Sequence, residues 1–348
     1  VLGLLGILGA LFAGGIVDSF MSVPAGVSND DGNPETDLPE EDGDLVTADT
    51  YNLLDGPPPE NPQPLDDPAG MPVSDDLADP ADADLTLAGG HEDDILDGSG
   101  GDDRLDGGAG NDLLGGRDGA DDLAGGDGND NLHGGKGDDW LTGGDGTDTL
   151  HGEDGADHAS GGAGGDAIYG HDGDDGLGGD DGDDSLWGGA GDDSLSGGTG
   201  ADALSGGFGA DLMAGGLGAD VLDGGDGADT LHGSHADTTD SDADFLNGGA
   251  GDDLLFMAAG DYGNGGEGAD AFALHEIRAG DPVAQITDFD PVEDSLVVLY
   301  DATLHPTPIL TLDQPEGGAA TLLLDGVPLV NLGRVAGIDL DSIQLRVA

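Results

Sequence analysis

The chain contains no cysteine, so it has no disulfide, no thiolate metal site and no cysteine nucleophile. Cations are nearly absent: six Lys and Arg stand against 76 Asp and Glu, a formal net charge of −70 over 348 residues. Nucleic acid is thereby excluded as a direct partner, because phosphate binding needs clustered Lys and Arg. Aromatics are only 4% of the chain, too few for an ordinary packed core over most of its length. Catalytic signatures are missing as well. His275-Glu276 is followed by Ile277, Arg278 and Ala279, so there is no H-E-x-x-H, and Lys136 has no Ser or Thr after it to make a P-loop. No G-x-S-x-G occurs. The expectation is a protein that is not an enzyme.

What is abundant is glycine, 72 residues, roughly three times normal usage. Interior glycine disfavours helix by about 1 kcal/mol each, so a helical fold is not expected. Four zones follow one another. Residues 1–21 are an apolar head with no charge from Val1 to Val17. Residues 22–88 form an extended spacer that holds 11 of the 17 prolines, many Asp and no Lys or Arg. Residues 89–273 have no proline and are dominated by Gly and Asp. Residues 274–348 regain apolar runs, SLVVLY, ILTL, ATLLL, PLVNL and SIQLRV, separated by Pro, Gly and Asp, and read as a β-rich cap.

The third zone is a repeat of nine. From Gly89, sixteen units run to His232 without an insertion, reading G-G-x-G-x-D-x-L-x. Position 1 is always Gly and position 6 always Asp. Position 8 is Leu in thirteen units, with Ala159, Ile168 and Met213 in the others. The frame slips across 233–247 and returns at Gly248 and Gly265. Glycines permit a tight turn, and x-Leu-x is long enough for a three-residue strand. Eighteen residues then make one coil of a flattened solenoid, with Leu inside and coils about 4.8 Å apart. One Leu per strand is a thin core against an ordering cost of about 1–2 kcal/mol per residue. The turns therefore need another source of stability. Stacking brings Asp carboxylates and turn carbonyls together, an all-oxygen set that suits Ca²⁺ rather than Zn²⁺.

The expected carboxylate ligands are Asp94, Asp103, Asp112, Asp121, Asp130, Asp139, Asp148, Asp157, Asp166, Asp175, Asp184, Asp193, Asp202, Asp211, Asp220 and Asp229, with Asp253 in the returned frame. The expected carbonyl ligands are at position 4: Gly101, Gly110, Gly119, Gly128, Gly137, Gly146, Gly164, Gly182, Gly191, Gly200, Gly209 and Gly218. Coupling each unit with the unit two later gives about fourteen sites. Asp at position 3 (Asp127, Asp145, Asp226) or position 5 (Asp102, Asp138, Asp192) is expected to be exposed.

This repeat resembles the RTX, or haemolysin-type, calcium-binding nonapeptide, for instance at 188–196 (GGAGDDSLS), and the segment 286–296 (ITDFDPVEDSL) resembles the flank that follows such repeats. The resemblance implies a right-handed parallel β-roll with Ca²⁺ in its turns, disordered at cytosolic calcium and folding outside the cell. It also implies a C-terminal export signal within 274–348, read by a type I exporter.

The head departs from that pattern. Twenty-one residues give about 31 Å of helix, just enough to span a bilayer. Gly6, Ala10 and Gly14 make a small-xxx-small row suited to packing against another membrane helix. A secretory signal peptide is the alternative, but the head lacks a basic n-region and a clean A-x-A site. Two functions follow. One is a calcium-loaded structural or surface module of the bacterial envelope (periplasm or cell surface), or a secreted one. The other is an accessory subunit of a membrane protein complex, held through residues 1–88. Position-9 residues His133, His151, Tyr169 and Trp187 fall 18 apart, which places them in one row on one sheet, either as cross-strand stacking or as a docking stripe.

Overall fold

The computed structural model describes residues 83–234, 242–275, 278–315, 318–333, 335 and 337–347. The head 1–21 and the spacer up to residue 82 lie outside the described residues. Among the described residues the fold is an all-β parallel solenoid with no α-helix and one 3-10 turn, Leu340–Ser342. No helix among them is long and apolar enough to cross a membrane.

Successive nine-residue units contribute strands alternately to two sheets, one of 13 strands and one of 14. Through the repeats, neighbouring strands within each sheet are parallel and one coil apart in sequence, as in the pairs Leu105 with Leu123 and Leu114 with Leu132. The strands are longer than x-Leu-x. Asp122–Asp127 and its equivalents run six residues, from position 7 of one unit to position 3 of the next. Positions 8 and 1 face inward in this strand, as Leu123 and Gly125, and both are buried. Position 1 carries the strand onward because it needs no room for a side chain: the Asp carboxylate of the following turn occupies that space.

The interior is a file of single residues, Leu105, Leu114, Leu123, Leu132, Leu141 and onward to Leu231, each no more than 6% exposed. Main-chain bonds run between coils through the turns. Gly110 N–H donates to Asp127 O, and Asn131 N–H to Asp112 O, both at 2.9 Å. The frame slip does not break the stack. The step between paired strands becomes 24 residues (Leu222 with Leu246, Leu231 with Leu255), then 17 (Leu246 with Gly263, Leu255 with Phe272). The register thus lengthens by six residues in one coil and shortens by one in the next.

At the C-terminal end both sheets continue into different material. Ser295–Tyr300 and Gln344–Val347 extend one sheet. Ala284–Ile286 and Val327–Asn331 extend the other, which closes with the antiparallel strands Thr321–Leu324 and Leu310–Asp313. Larger side chains, among them Phe272, Phe289, Leu296, Leu322 and Val330, fill the interior here.

Glycine is required where coils meet and not elsewhere. Gly119 has φ 145°, and a Cβ on it would overlap the Gly101 carbonyl oxygen of the preceding coil. A Cβ on Gly115 would meet nothing within 4 Å. Gly119→Ala should therefore destabilise the folded protein by about 2 kcal/mol or more, while Gly115→Ala should be nearly neutral. Thermal unfolding of the two calcium-loaded variants measures the difference; equal melting temperatures would contradict this account of the turn.

Candidate metal sites in the turns

Each turn places its position-6 Asp beneath the strand that precedes it. The side chain is buried: from Asp103 to Asp229 no position-6 Asp is more than 3% exposed. One oxygen is satisfied by the neighbouring coil. Asp103 N–H donates to Asp121 Oδ1 at 2.7 Å, Asp121 N–H to Asp139 Oδ1 at 2.8 Å, and Asp166 N–H to Asp184 Oδ1 at 2.8 Å. The carboxylates thus form a ladder along each edge of the solenoid.

The second oxygen is different. At Asp103, Asp139, Asp166, Asp193 and Asp253, among others, Oδ2 is buried and no donor among the described residues reaches it. It faces the α-carbon of the position-1 glycine five residues earlier, and the position-1 carbonyl of the next coil faces the same point. At Gly107, a Cβ would overlap Asp112 Oδ2 and lie 2.7 Å from the Gly125 carbonyl oxygen. Two electron-rich oxygens thus converge on the α-hydrogen of one glycine, with no N–H or O–H between them. A buried anionic oxygen with no partner is costly unless a cation meets it.

The position-4 carbonyls lie in the same turns. Gly164 O faces the α-carbon of Gly182, and a Cβ on Gly182 would also lie 3.4 Å from Asp184 Oδ1. A carbonyl of one coil and a carboxylate of the next therefore flank one glycine. Among the described residues no three carboxylate or imidazole groups converge on a point. A metal here would be held by carbonyls together with few carboxylates. Such donors are hard oxygens throughout, and they fit Ca²⁺.

Not every expected ligand has this environment. Asp94, at the first coil, is only partly buried, and its Oδ2 accepts from Gly90 N–H at 2.8 Å. Other residues join the ladder that the nine-residue frame did not name. Asp244 Oδ1 accepts from Asp220 N–H, Asp261 Oδ1 from Asp244 N–H, Asp270 Oδ1 from Asp253 N–H, and Asp294 Oδ1 from Asp270 N–H. Asp270 sits at position 6 of the frame beginning Gly265, so the repeat itself carried the signal. Asp244 heads D-F-L-N-G-G, the second half of a unit whose first half is displaced by the insertion. Asp261 was hidden because Gly263 stands where Leu is usual. Asp294 ends the ladder: its Oδ2 accepts from Asp290 N–H at 2.7 Å, so a backbone donor stands where interior coils have none.

The position-3 and position-5 acids are exposed as expected. Position 5 nonetheless has a task. Ala120 N–H donates to Asp102 Oδ1, Ala156 N–H to Asp138 Oδ1 and Ala210 N–H to Asp192 Oδ1, at 2.8–3.0 Å. A second side-chain ladder, outside the first, holds the tips of the turns. On the sheet face, His133, His151, Tyr169 and Trp187 form a continuous stack with centroids 4.8, 4.7 and 4.6 Å apart. The cross-strand reading of this row is what the structure contains. Burial, with the His133 and His171 imidazoles nearby, holds His151 below the usual imidazole range.

Without a metal, burial raises the affinity of many of these carboxyls for protons. Burial pushes Asp139 up to about 7, with Asp157, Asp121 and Asp138 adding repulsion and the Asp121 N–H pulling the other way. Burial likewise pushes Asp202 up to about 7 and Asp148, Asp175, Asp193 and Asp211 up to about 6. In the unfolded chain these groups titrate near 3.8. The metal-free fold therefore binds more protons than the unfolded chain between those values. Its stability is fully present below about pH 4 and lost as pH rises through 6–7. Calcium-free protein should show β circular dichroism near pH 4 and lose it between pH 6 and 7. A β signal that strengthens with rising pH in the absence of calcium would contradict the assignment.

Comparison with known proteins agrees with this geometry. A family model described as the RTX calcium-binding nonapeptide repeat matches residues 86–114, 115–150, 142–177, 151–186, 178–213, 205–234 and 238–263. No curated protein sequence matches the chain. Among solved structures, the extracellular lipase LipA from Serratia marcescens is similar at 17% identity, over 63% of this chain and 40% of the lipase, with a TM-score of 0.16. The chain thus spans well under half of the lipase's length, and a likeness at that score carries no argument about chemistry.

Proposed function

Since the chain belongs to the family of RTX calcium-binding nonapeptide-repeat proteins, we propose that calcium is what completes its fold and that the folded roll is a structural, non-catalytic module of the bacterial cell envelope or exterior. The observation that carries this reading is the file of buried Oδ2 atoms without donors. In calcium-poor cytosol those carboxylates ionise and repel, and the chain stays unfolded. Outside the cell, millimolar calcium neutralises them, and the turns lock coil by coil. About fourteen ions would be taken up by the unbroken run of repeats, with Asp244, Asp253 and Asp270 extending the ladder beyond it.

Position-6 carboxylates and position-4 carbonyls are the proposed ligands, joined by the position-1 carbonyls that face the same carboxylate oxygens. Residues 22–88 would serve as an extended spacer, 89–273 as the calcium-loaded roll and 274–348 as its cap. The head would tether the module to the outer side of a membrane, and a type I exporter reading the C-terminal segment is the route of exit consistent with the family.

Circular dichroism in chelator at neutral pH should show coil and convert to β signal at roughly 0.1–1 mM Ca²⁺. An unchanged β spectrum in excess chelator would sink the proposal. Within that titration Asp166→Ala should raise the calcium midpoint more than Asp94→Ala. Asp166 has a bare buried oxygen and a coil on each side, whereas Asp94 already holds a backbone donor. Equal midpoints and stoichiometries would argue that the sites are not coupled through the stack.

A further inference from the structure

The outer faces of both sheets carry a recurrent diagonal contact, three times on the 14-stranded sheet and once, at Asp180, on the other. Position 2 of the repeat is usually Gly at positive φ, as at Gly108 (98°), Gly126 (114°) and Gly189 (121°). Ser99, Arg117, Glu153, His171 and Asp180 stand there instead, still at φ 72–88°, a conformation that side-chain-bearing residues rarely adopt. The last four of these reach the position-9 residue twenty places earlier. Arg117 pairs with Asp97, Glu153 with His133, and Asp180 with Ser160. Those three join groups of complementary character. The fourth joins two of the same kind: His151 Nδ1 and His171 Nε2 approach to 3.0 Å, on the adjacent strands Thr149–Asp154 and Ala167–Asp172.

We propose that His151 and His171 form a chelating site for a tetragonal divalent transition metal, copper(II) foremost, separate from the calcium turns. Two nitrogens 3.0 Å apart, each about 2.0–2.1 Å from a metal, subtend an angle of about 95°. That is close to the cis angle of a square-planar or octahedral ion. Imidazole donors favour copper and nickel over calcium, and copper(II) stands highest among the first-row divalent ions. The ring centroids lie 5.3 Å apart with the nitrogens facing each other between them, so the imidazole of His171, on its exposed side, turns to bring its lone pair onto a metal held by His151, and the strands stay in place. His151 is fixed by its stack between His133 and Tyr169, at 4.8 and 4.7 Å. Solvent completes the coordination on the open side of His171, which is exposed. The acidic surface raises the local concentration of any divalent cation.

The test uses the full chain loaded with excess calcium, which occupies the oxygen sites, and titrated with Cu²⁺. Electron paramagnetic resonance of the first equivalent should show hyperfine coupling to two imidazole nitrogens. His171→Gly removes one ligand and restores the residue usual at position 2, so calcium-induced folding should be retained, as circular dichroism checks. In that variant the two-nitrogen signal should vanish and the first copper equivalent bind at least tenfold more weakly. His158→Ala, on the other sheet, should bind as wild type does. A wild-type spectrum with oxygen ligands alone, or a folded His171→Gly protein with unchanged affinity and nitrogen coupling, would overturn the proposal.

Discussion

A carboxylate oxygen buried under a glycine, with no proton donor to meet it, is the constraint on which the rest of this molecule depends. It explains why position 1 has no side chain: the space a Cβ would fill belongs to the Asp of the next turn. It explains the strand length too, since a glycine there continues the strand inward rather than ending it. It also explains why the repeat can manage with one apolar residue in nine. Hydrophobic burial alone supplies a file of single leucines. The remaining stability must come from neutralising the ladder of charge, and that makes the fold conditional on a cation or on protons.

Repetition turns this local requirement into a cooperative one. Each position-6 Asp accepts from the backbone of one coil while its own N–H donates to the carboxylate of the next, so no coil is complete without both neighbours. The ends are handled differently from the middle. Asp94 and Asp294 each give their second oxygen a backbone N–H, from Gly90 and Asp290. The interior is left dependent on what it binds, while its terminal coils close on themselves. The lengthened coil fits the same logic: across a step of 24 residues, Asp244 still stands where a regular unit would have put it.

Much of this was legible from the residues alone because the period is strict. The solenoid, the inward Leu file, the Asp phase and the stacked row His133–His151–Tyr169–Trp187 all follow from counting by nine and eighteen. What counting does not reveal is which way a residue of mixed use points. Gly125 was assigned to a turn and lies inside a strand, because inward space rather than turn propensity decides its place. The position-5 acids are solvated, and they also bond the tip of the adjoining coil. Asp261 was obscured by a Gly in the Leu position, and Asp244 by a frame shift. The diagonal pairs between positions 2 and 9 join residues twenty apart, a spacing that belongs to no repeat and emerges only when strands are laid side by side.

The central claim concerns where the cations sit, and anomalous diffraction from calcium-loaded crystals addresses it most directly. The account predicts two rows of calcium peaks, one along each turn edge of the roll, with successive peaks about one strand spacing apart. Each peak should lie about 2.3–2.6 Å from a position-6 Oδ2 and from turn carbonyls. Peaks confined to the exposed acids at positions 3 and 5, with the buried Oδ2 atoms still unligated, would contradict it.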